Sequence, residues 1–389
     1  MMANDSRLQQ RFVQAIDDVV PPAPWLETQV VEALQHRPRS RRFALGVGSL
    51  GGFPSGFRLA AGLVALLIAV ATVGVLLMSS NLHGTTVPGG RTTPVQTPLL
   101  PPAGLMSAAV VYDTKNRTVV VFGGYSFNGI ADSNGETWTW DGTAWRGHKP
   151  VTSPSPRYGA AMAYDEARGV SVMFGGSSVT GGNAPVGEND TWIWDGRTWR
   201  QLHPAQRPPA MNGPVMAYDR ALSAIVLFGN GETWTWDGST WKQLHPQGSP
   251  LAMAGYQKGL AYHAVTQTLL LFGNQVSGGA PISETWTFDG STWARHPASS
   301  GSAPSGILPS MAADDARGTV VLVDEQGETW TWDGRTWSQQ HPSSSPPPRA
   351  QEVMAYDADR QVVVLFGGYH KPLVADTWIW DGSTWTRRT

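Results

Sequence analysis

One ten-residue frame recurs six times in this chain and limits what it can fold into. Its form is acid-Thr-Trp-x-Trp-Asp-Gly-x-x-Trp, first met at Glu136, Thr137, Trp138, Trp140, Asp141, Gly142 and Trp145. Later copies start at Asp190, Glu232, Glu284, Glu328 and Asp376. The copies provide eighteen aromatic slots, seventeen filled by Trp and one by Phe288, and only Trp25 lies outside the array. A unit that returns every ~40–50 residues cannot bury its own faces and must stack on its neighbours.

A second block precedes each acid, as in VVYDTKNRTVVVFGG or MAYDADRQVVVLFGG. Its aligned positions are Tyr112, Tyr164, Tyr218, Tyr262, Ala313 and Tyr356, followed ten residues later by Phe122, Phe174, Phe228, Phe272, Val323 and Phe366. Four strands per unit follow. The first ends in Tyr-Asp. The second is continuously apolar, as a strand buried on both faces should be. The third is Thr-Trp-x-Trp, whose two indoles share one face because side chains alternate. Asp-Gly then signals a hairpin into the fourth strand, which carries the last Trp. Four antiparallel strands, six times over, predict an all-β six-bladed propeller over residues 105–389. Stacking platforms for sugars are the other use of so many Trp residues. A binding aromatic is needed in one or two blades, whereas a packing aromatic is needed in all, so the regular spacing points to packing between blades.

These blocks resemble the kelch repeat, in which a double glycine closes the second strand before an aromatic-rich strand and a spaced Trp. Gly123-Gly124, Gly175-Gly176 and Gly367-Gly368 match, blades three and four have Gly229-Asn230 and Gly273-Asn274, and blade five has Asp324-Glu325. In kelch proteins that bind peptides, Arg residues just before the innermost strand line the channel mouth. The resemblance implies that role for Arg157 and Arg349, each seven residues before the aligned Tyr, where blades three to five carry Met211, Gly255 and Gly306.

Inside each repeat, only the connection between the second and third strands changes length. It runs from Phe122 to Glu136 and from Phe174 to Asp190 in blades one and two, but only from Phe228 to Glu232 in blade three. Variable loops on a rigid scaffold are where binding concentrates. In an antiparallel blade these loops share a face with the connections between blades. That face is the expected ligand surface, with Tyr125, Phe127, Asn128, Arg157, Tyr158, Asn183, Arg349, Tyr369, His370 and Lys371 as its candidate contacts, while the hairpin face reads as structural.

The chain before the repeats has a different composition. Leu59 to Met78 is an unbroken run of apolar and small residues, long enough to cross a bilayer. Arg37, Arg39, Arg41, Arg42 and Arg58 precede it, and the nearest basic residue beyond it is Arg91. The positive-inside rule then places the N-terminus in the cytoplasm and the propeller outside. The expected layout is a cytoplasmic helical region at 1–56, a transmembrane helix at 57–79, a Pro/Thr/Gly-rich stalk at 80–104 and the propeller at 105–389. Leu8, Phe12, Ile16 and Val19 recur at helical spacing within the first region. Cytoplasmic helices, one span and an outer domain also resemble membrane-bound anti-sigma regulators, which implies a cytoplasmic protein partner. The chain has no Cys, which favours a bacterial envelope protein over a disulfide-rich secreted eukaryotic one. Its net charge of −2 carries no nucleic-acid footprint.

Chemistry finds little foothold. Galactose oxidase has kelch-like blades, but its copper site needs a Cys that this chain lacks. The TWDGSTW turns look like sialidase Asp-boxes with one residue missing, and those boxes are structural. His148, His203, His245, His296 and His341 recur after the last strand of separate blades, too dispersed to converge on a metal. The six repeated acids are equivalent, whereas acid–base catalysis needs two carboxyls with separated pKa values; hydrogen bonds to loop amides are their expected role. The expectation is therefore a non-enzymatic module without cofactor or metal, which recognises an extracellular protein or polysaccharide. A sensor that relays binding to a cytoplasmic partner is the alternative, and a glycan-processing enzyme a distant third.

Overall fold

The structure is a computed structural model describing residue 102 and residues 104–388, apart from short stretches at 128–130, 179–184, 212, 251–252, 254–257, 276–281, 298–302, 305–308 and 371–372. The expected cytoplasmic helices, the 59–78 span and the stalk up to residue 101 lie outside the described residues. Among the described residues no helix is long and apolar enough to cross a membrane.

Each repeat forms one four-stranded antiparallel sheet whose strands pair in sequence order. Blade one comprises Ala109–Asp113, Thr118–Phe122, Thr137–Trp140 and Trp145–His148. Blade six comprises Val353–Asp357, Val362–Phe366, Thr377–Trp380 and Trp385–Arg388. The first strands stand side by side around a central channel, and those of blades six and one adjoin to close the ring. Repeat and blade coincide, so no strand from one end of the chain completes the sheet of the other. Among the described residues, four blades carry extra pairing at the variable-loop end, blade six only as a Tyr369–Leu373 bridge. Tyr125–Phe127 pairs with Ala131–Ser133 in blade one, and Ser177–Ser178 with Val186–Gly187 in blade two. In blade four the second and third strands simply run on, as Thr268–Gln275 and Ile282–Phe288.

The second strands are the most buried. Val120, Val172, Val226, Leu270, Val321 and Leu365 are all closed to solvent. The fourth-strand Trp then locks each blade to the one before it. Its indole N–H donates to the motif's Thr in the preceding blade's third strand: Trp199 to Thr137, Trp241 to Thr191, Trp293 to Thr233, Trp337 to Thr285 and Trp385 to Thr329, at 2.9–3.0 Å. Trp145 to Thr377, at 2.9 Å, closes the circle from blade one back to blade six. The same indoles pack on the preceding blade's Phe, as in Phe122–Trp199 with ring centroids 5.1 Å apart and Phe366–Trp145 at 4.6 Å. The motif's threonine is therefore a blade-to-blade acceptor, and the regular aromatics are packing elements.

The Asp-Gly hairpins form, but not as two-residue turns. Trp140 pairs with Trp145, leaving a four-residue loop in which Asp141 Oδ1 accepts the Thr143 and Ala144 amides. Gly142 takes φ 93°, and a Cβ there would overlap the Arg360 guanidinium of blade six. Arg168 crosses Gly238 and Arg317 crosses Gly382 in the same way, so this glycine is required both by its backbone and by the side chain of the preceding blade. Blade three has a true two-residue turn between its second and third strands, with Asn230 at φ 52° and Gly231 at φ 79°.

Candidate functional site

The double glycines shape the variable-loop face. In blades one, two and six both glycines have positive φ, 71° and 103° in the first of them. The strand is thereby turned so that its next residue bridges the connection entering the same blade: Tyr125 to Met106, Ser177 to Tyr158, and Tyr369 to Ala350. Blades six, one and two are consecutive around the ring. They carry Tyr369, Tyr125 and Tyr158 at these bridges, and the Tyr125 and Tyr158 rings meet edge to face at 5.3 Å. All three side chains are half-buried, and His370 beside them is exposed. A backbone chain knits the same rim, from Gly159 N–H to Ser107 O and from Ser107 N–H to Gln351 O. Phe127 ends the short strand that starts at Tyr125, whereas Asn128, Asn183 and Lys371 lie outside the described residues.

Arg157 and Arg349 do not line the channel mouth as free cations. They are 1 % and 2 % exposed. Arg157 donates to Gly175 O and to both carboxylate oxygens of Asp190, at 2.5 and 3.0 Å; Arg349 does the same with Gly367 O and Asp376, at 2.6 and 3.3 Å. Their slot points into the blade, beside the double glycine. The residue at that slot in blade three, Met211, is likewise buried and packs against Gly229. A guanidinium fits here because a carboxylate and an otherwise open carbonyl await it. Arg157 and Arg349 thus tie the double-glycine turn of their own blade to the acid at the start of its third strand.

Five of the six repeated acids hold an indole and not, as expected, a loop amide. Glu136, Asp190, Glu232, Glu284 and Asp376 each accept the N–H of the Trp two residues later, at 2.7–3.0 Å. Burial raises the Asp190 carboxyl, but the Arg157 hydrogen bonds and charge outweigh it and hold the group below the usual range. His148 and His296 each bond a strand threonine, Thr139 and Thr287, at 2.8 Å, and lie edge-on against the next blade's Trp194 and Trp332. Among the described residues no group of three or more His, Asp or Glu converges to hold a metal.

The channel itself is a cavity of about 360 Å³ lined by the first strands of all six blades. The hairpin-side end is crossed by charged side chains. Arg220 of blade three pairs with Glu166 of blade two at 2.9 Å and with Asp315 of blade five at 2.8 Å, and lies over the Tyr262 ring. Blades three and five are not neighbours, so this ion pair spans the channel mouth. At the opposite end, the position four before the aligned Tyr holds Ala108, Ala160, Pro214, Lys258, Pro309 and Glu352, all of which line the cavity. Lys258 and Glu352 are each 5 % exposed. Neither was a sequence candidate. Their signal was two opposite charges at a register position that is otherwise Ala or Pro.

No family model matches the chain, and no curated protein matches it. Solved propellers do. The structure of SapL1 lectin in complex with alpha methyl fucoside has 14 % identity and a TM-score of 0.47, over 73 % of this chain and 95 % of that one. A six-bladed lectin of Aleuria aurantia, with a novel fucose recognition mode, has 12 % identity and a TM-score of 0.46, over 74 % and 95 %. NanB plus Optactamide has 10 % identity and a TM-score of 0.46, over 70 % and 67 %. At these values no residue of those proteins can be matched to one here.

Proposed function

We propose that this is a kelch-type, membrane-anchored module of the bacterial envelope that binds a protein or glycan outside the cell and carries out no catalysis. Residues 1–56 are its cytoplasmic region, 59–78 its anchor, 80–104 its stalk and 105–389 its ligand-binding propeller. The observation that carries the reading is the arc of blades six, one and two on the face of the variable loops, where Tyr125 and Tyr158 meet edge to face and Tyr369 holds the bridge position in blade six that Tyr125 holds in blade one. Half-buried tyrosines present a rigid apolar face with a polar edge, which suits both glycan rings and peptide side chains. The repeated acids are engaged in holding indoles and arginines, which leaves them poorly placed to act as an acid–base pair.

Replacing Tyr125, Tyr158 and Tyr369 together by Ala should reduce binding on a glycan and peptide array at least tenfold, with little change in melting temperature. Undiminished binding by this variant would move the ligand surface elsewhere. The anchor has its own test. A reporter fused after Thr389 should be reached by protease in intact cells, and one at Met1 should be protected. The reverse pattern would overturn the orientation.

A further inference from the structure

Two buried carboxyls crowd the loop-side seam between blades five and six. Glu352 is 5 % exposed and Asp324 1 %. Apart from Glu352's own main-chain amide, nothing among the described residues donates to either Glu352 oxygen. Asp324 Oδ1 accepts the Gln326 and Glu328 amides, but Oδ2 is buried without a hydrogen-bond partner. Buried carboxyl oxygens are ordinarily hydrogen-bonded, and those left open call for an explanation. The backbone brings the two residues to one seam. Blade five's turn packs on the segment that enters blade six, where a Cβ on Gly327 would meet Pro346 O at 2.8 Å. Asp324 stands where other blades have the first glycine of the pair, and in blade one that glycine, Gly123, abuts Arg157 O of the next blade. Glu352 is pinned from its own blade, since a Cβ on Gly368 would press against the Glu352 Cβ. Two residues earlier, Ala350 exchanges both main-chain hydrogen bonds with Tyr369.

The charges around the seam do not neutralise these acids. Arg349 favours the ionised form of Glu352 but is committed to Asp376 and Gly367 O, while Asp324 and Glu325 oppose it. Glu328 and Glu325 likewise oppose ionisation of Asp324, against the Glu328 amide and the Trp330 indole. Blade one, on the other side of blade six, presents the uncharged Ser107 and Ala108. Burial is the dominant cause at both carboxyls, pushing Glu352 up to about 8 and Asp324 up to about 6.

We propose that Glu352 and Asp324 form a pH-operated latch between blades five and six, closed while the two carboxyls are uncharged and released when they ionise. A neutral pair lets the seam pack dry. A charged pair is buried without a free counter-ion and repels itself, and the strand start at Ala350–Glu352 must then move toward water, carrying the Tyr369 bridge with it. The sign is fixed by the direction of both shifts. The closed seam keeps its protons where the open one has lost them, so closure is strongest below about pH 4.5 and weakens as pH rises to about 8. Through Tyr369 the latch reaches the arc proposed above as the ligand surface; that link rests on the proposed function, whereas the latch itself does not.

The test is amide hydrogen exchange of the full chain in detergent micelles, read by mass spectrometry at pH 5 and pH 8.5 and corrected for intrinsic exchange rates. Blade two is the internal control. It has the same double-glycine turn and the same buried Arg, with Ala160 in the place of Glu352. Residues 349–353 and 367–370 should open roughly a hundredfold more at pH 8.5 than at pH 5, as the raised carboxyls require, while 157–161 and 175–178 stay level. Glu352→Gln should remove most of the rise, and Asp324→Asn a smaller part of it. Glu352→Ala, which gives blade six the residue of blade two, should behave like Glu352→Gln and decides the matter if the amide variant does not fold. Protection of blade six that is the same at both pH values, an equal rise in blade two, or a rise that survives both Glu352 variants would each overturn the proposal.

Discussion

Trp241→Ala is expected to lower the unfolding free energy by about 3–5 kcal/mol, the range for truncating a large buried aromatic. Trp241 is closed to solvent, packs on Phe174 of the preceding blade at 5.3 Å and on Trp236 of its own at 5.3 Å, and donates its indole N–H to Thr191. The loss divides into packing and polar parts that two milder variants separate. Thr191→Val keeps the volume and strands a buried N–H, which should cost about 1–3 kcal/mol. Trp241→Phe keeps most of the apolar contact and removes the donor with its site. If Thr191→Val melts like the wild type in urea titrations, the indole–threonine bond is not a clamp and packing alone holds the blades. The equivalent truncation of Trp385 should cost less. Blade five offers it Val323 where other blades offer Phe, although its bond to Thr329 is kept.

Arg157→Met should destabilise the domain by about 3–5 kcal/mol while leaving ligand affinity of the folded protein unchanged. Removing one member of a buried ion pair leaves the other charge uncompensated, which costs more than the intact pair contributes. Here the stranded groups are the Asp190 carboxylate and Gly175 O. The double variant Arg157→Met with Asp190→Asn should recover part of the loss. The pH dependence has a definite sign. Asp190 is held below the ordinary carboxylate range, so the pair's contribution is full above about pH 4, the unfolded value, and fades as pH falls through the lower folded value. The gap between wild type and Arg157→Met should therefore narrow in acid. A variant that keeps its midpoint in urea but loses ligand would return Arg157 to the channel mouth.

The blade count, the four strands of each blade and the packing role of the aromatics were legible in the repeats. Each is set by local quantities: the alternation of side chains, the continuous apolar run of the second strand, and the turn residues between strands. Six copies of one local pattern reinforce one another, and Phe288 or Val323 replacing an expected aromatic does not blur the period. The face that carries the variable loops was legible too, because inside each repeat the spacing changes only between Phe and acid. The details of that face were not. Arg157 reads as an exposed cation in sequence and is buried in the fold, since its fate depends on Asp190, thirty-three residues on. The acids were expected to bind loop amides, whereas five of the six accept the indole N–H two residues on, a pairing that strand alternation allows but only the side-chain positions select.

What the sequence determined by itself is therefore the propeller: a period, a strand order and a buried stripe, all carried by residues near one another in the chain. What only the tertiary structure decided is which side chains meet. Trp145 finds Thr377 across 232 residues, Arg220 reaches Asp315 over the channel, and Lys258 and Glu352 share one ring of the cavity. Those meetings depend on how six sheets twist and close, and closure is a property of the whole ring. No local pattern records it, so contacts across blades and across the channel appear only when the circle is complete.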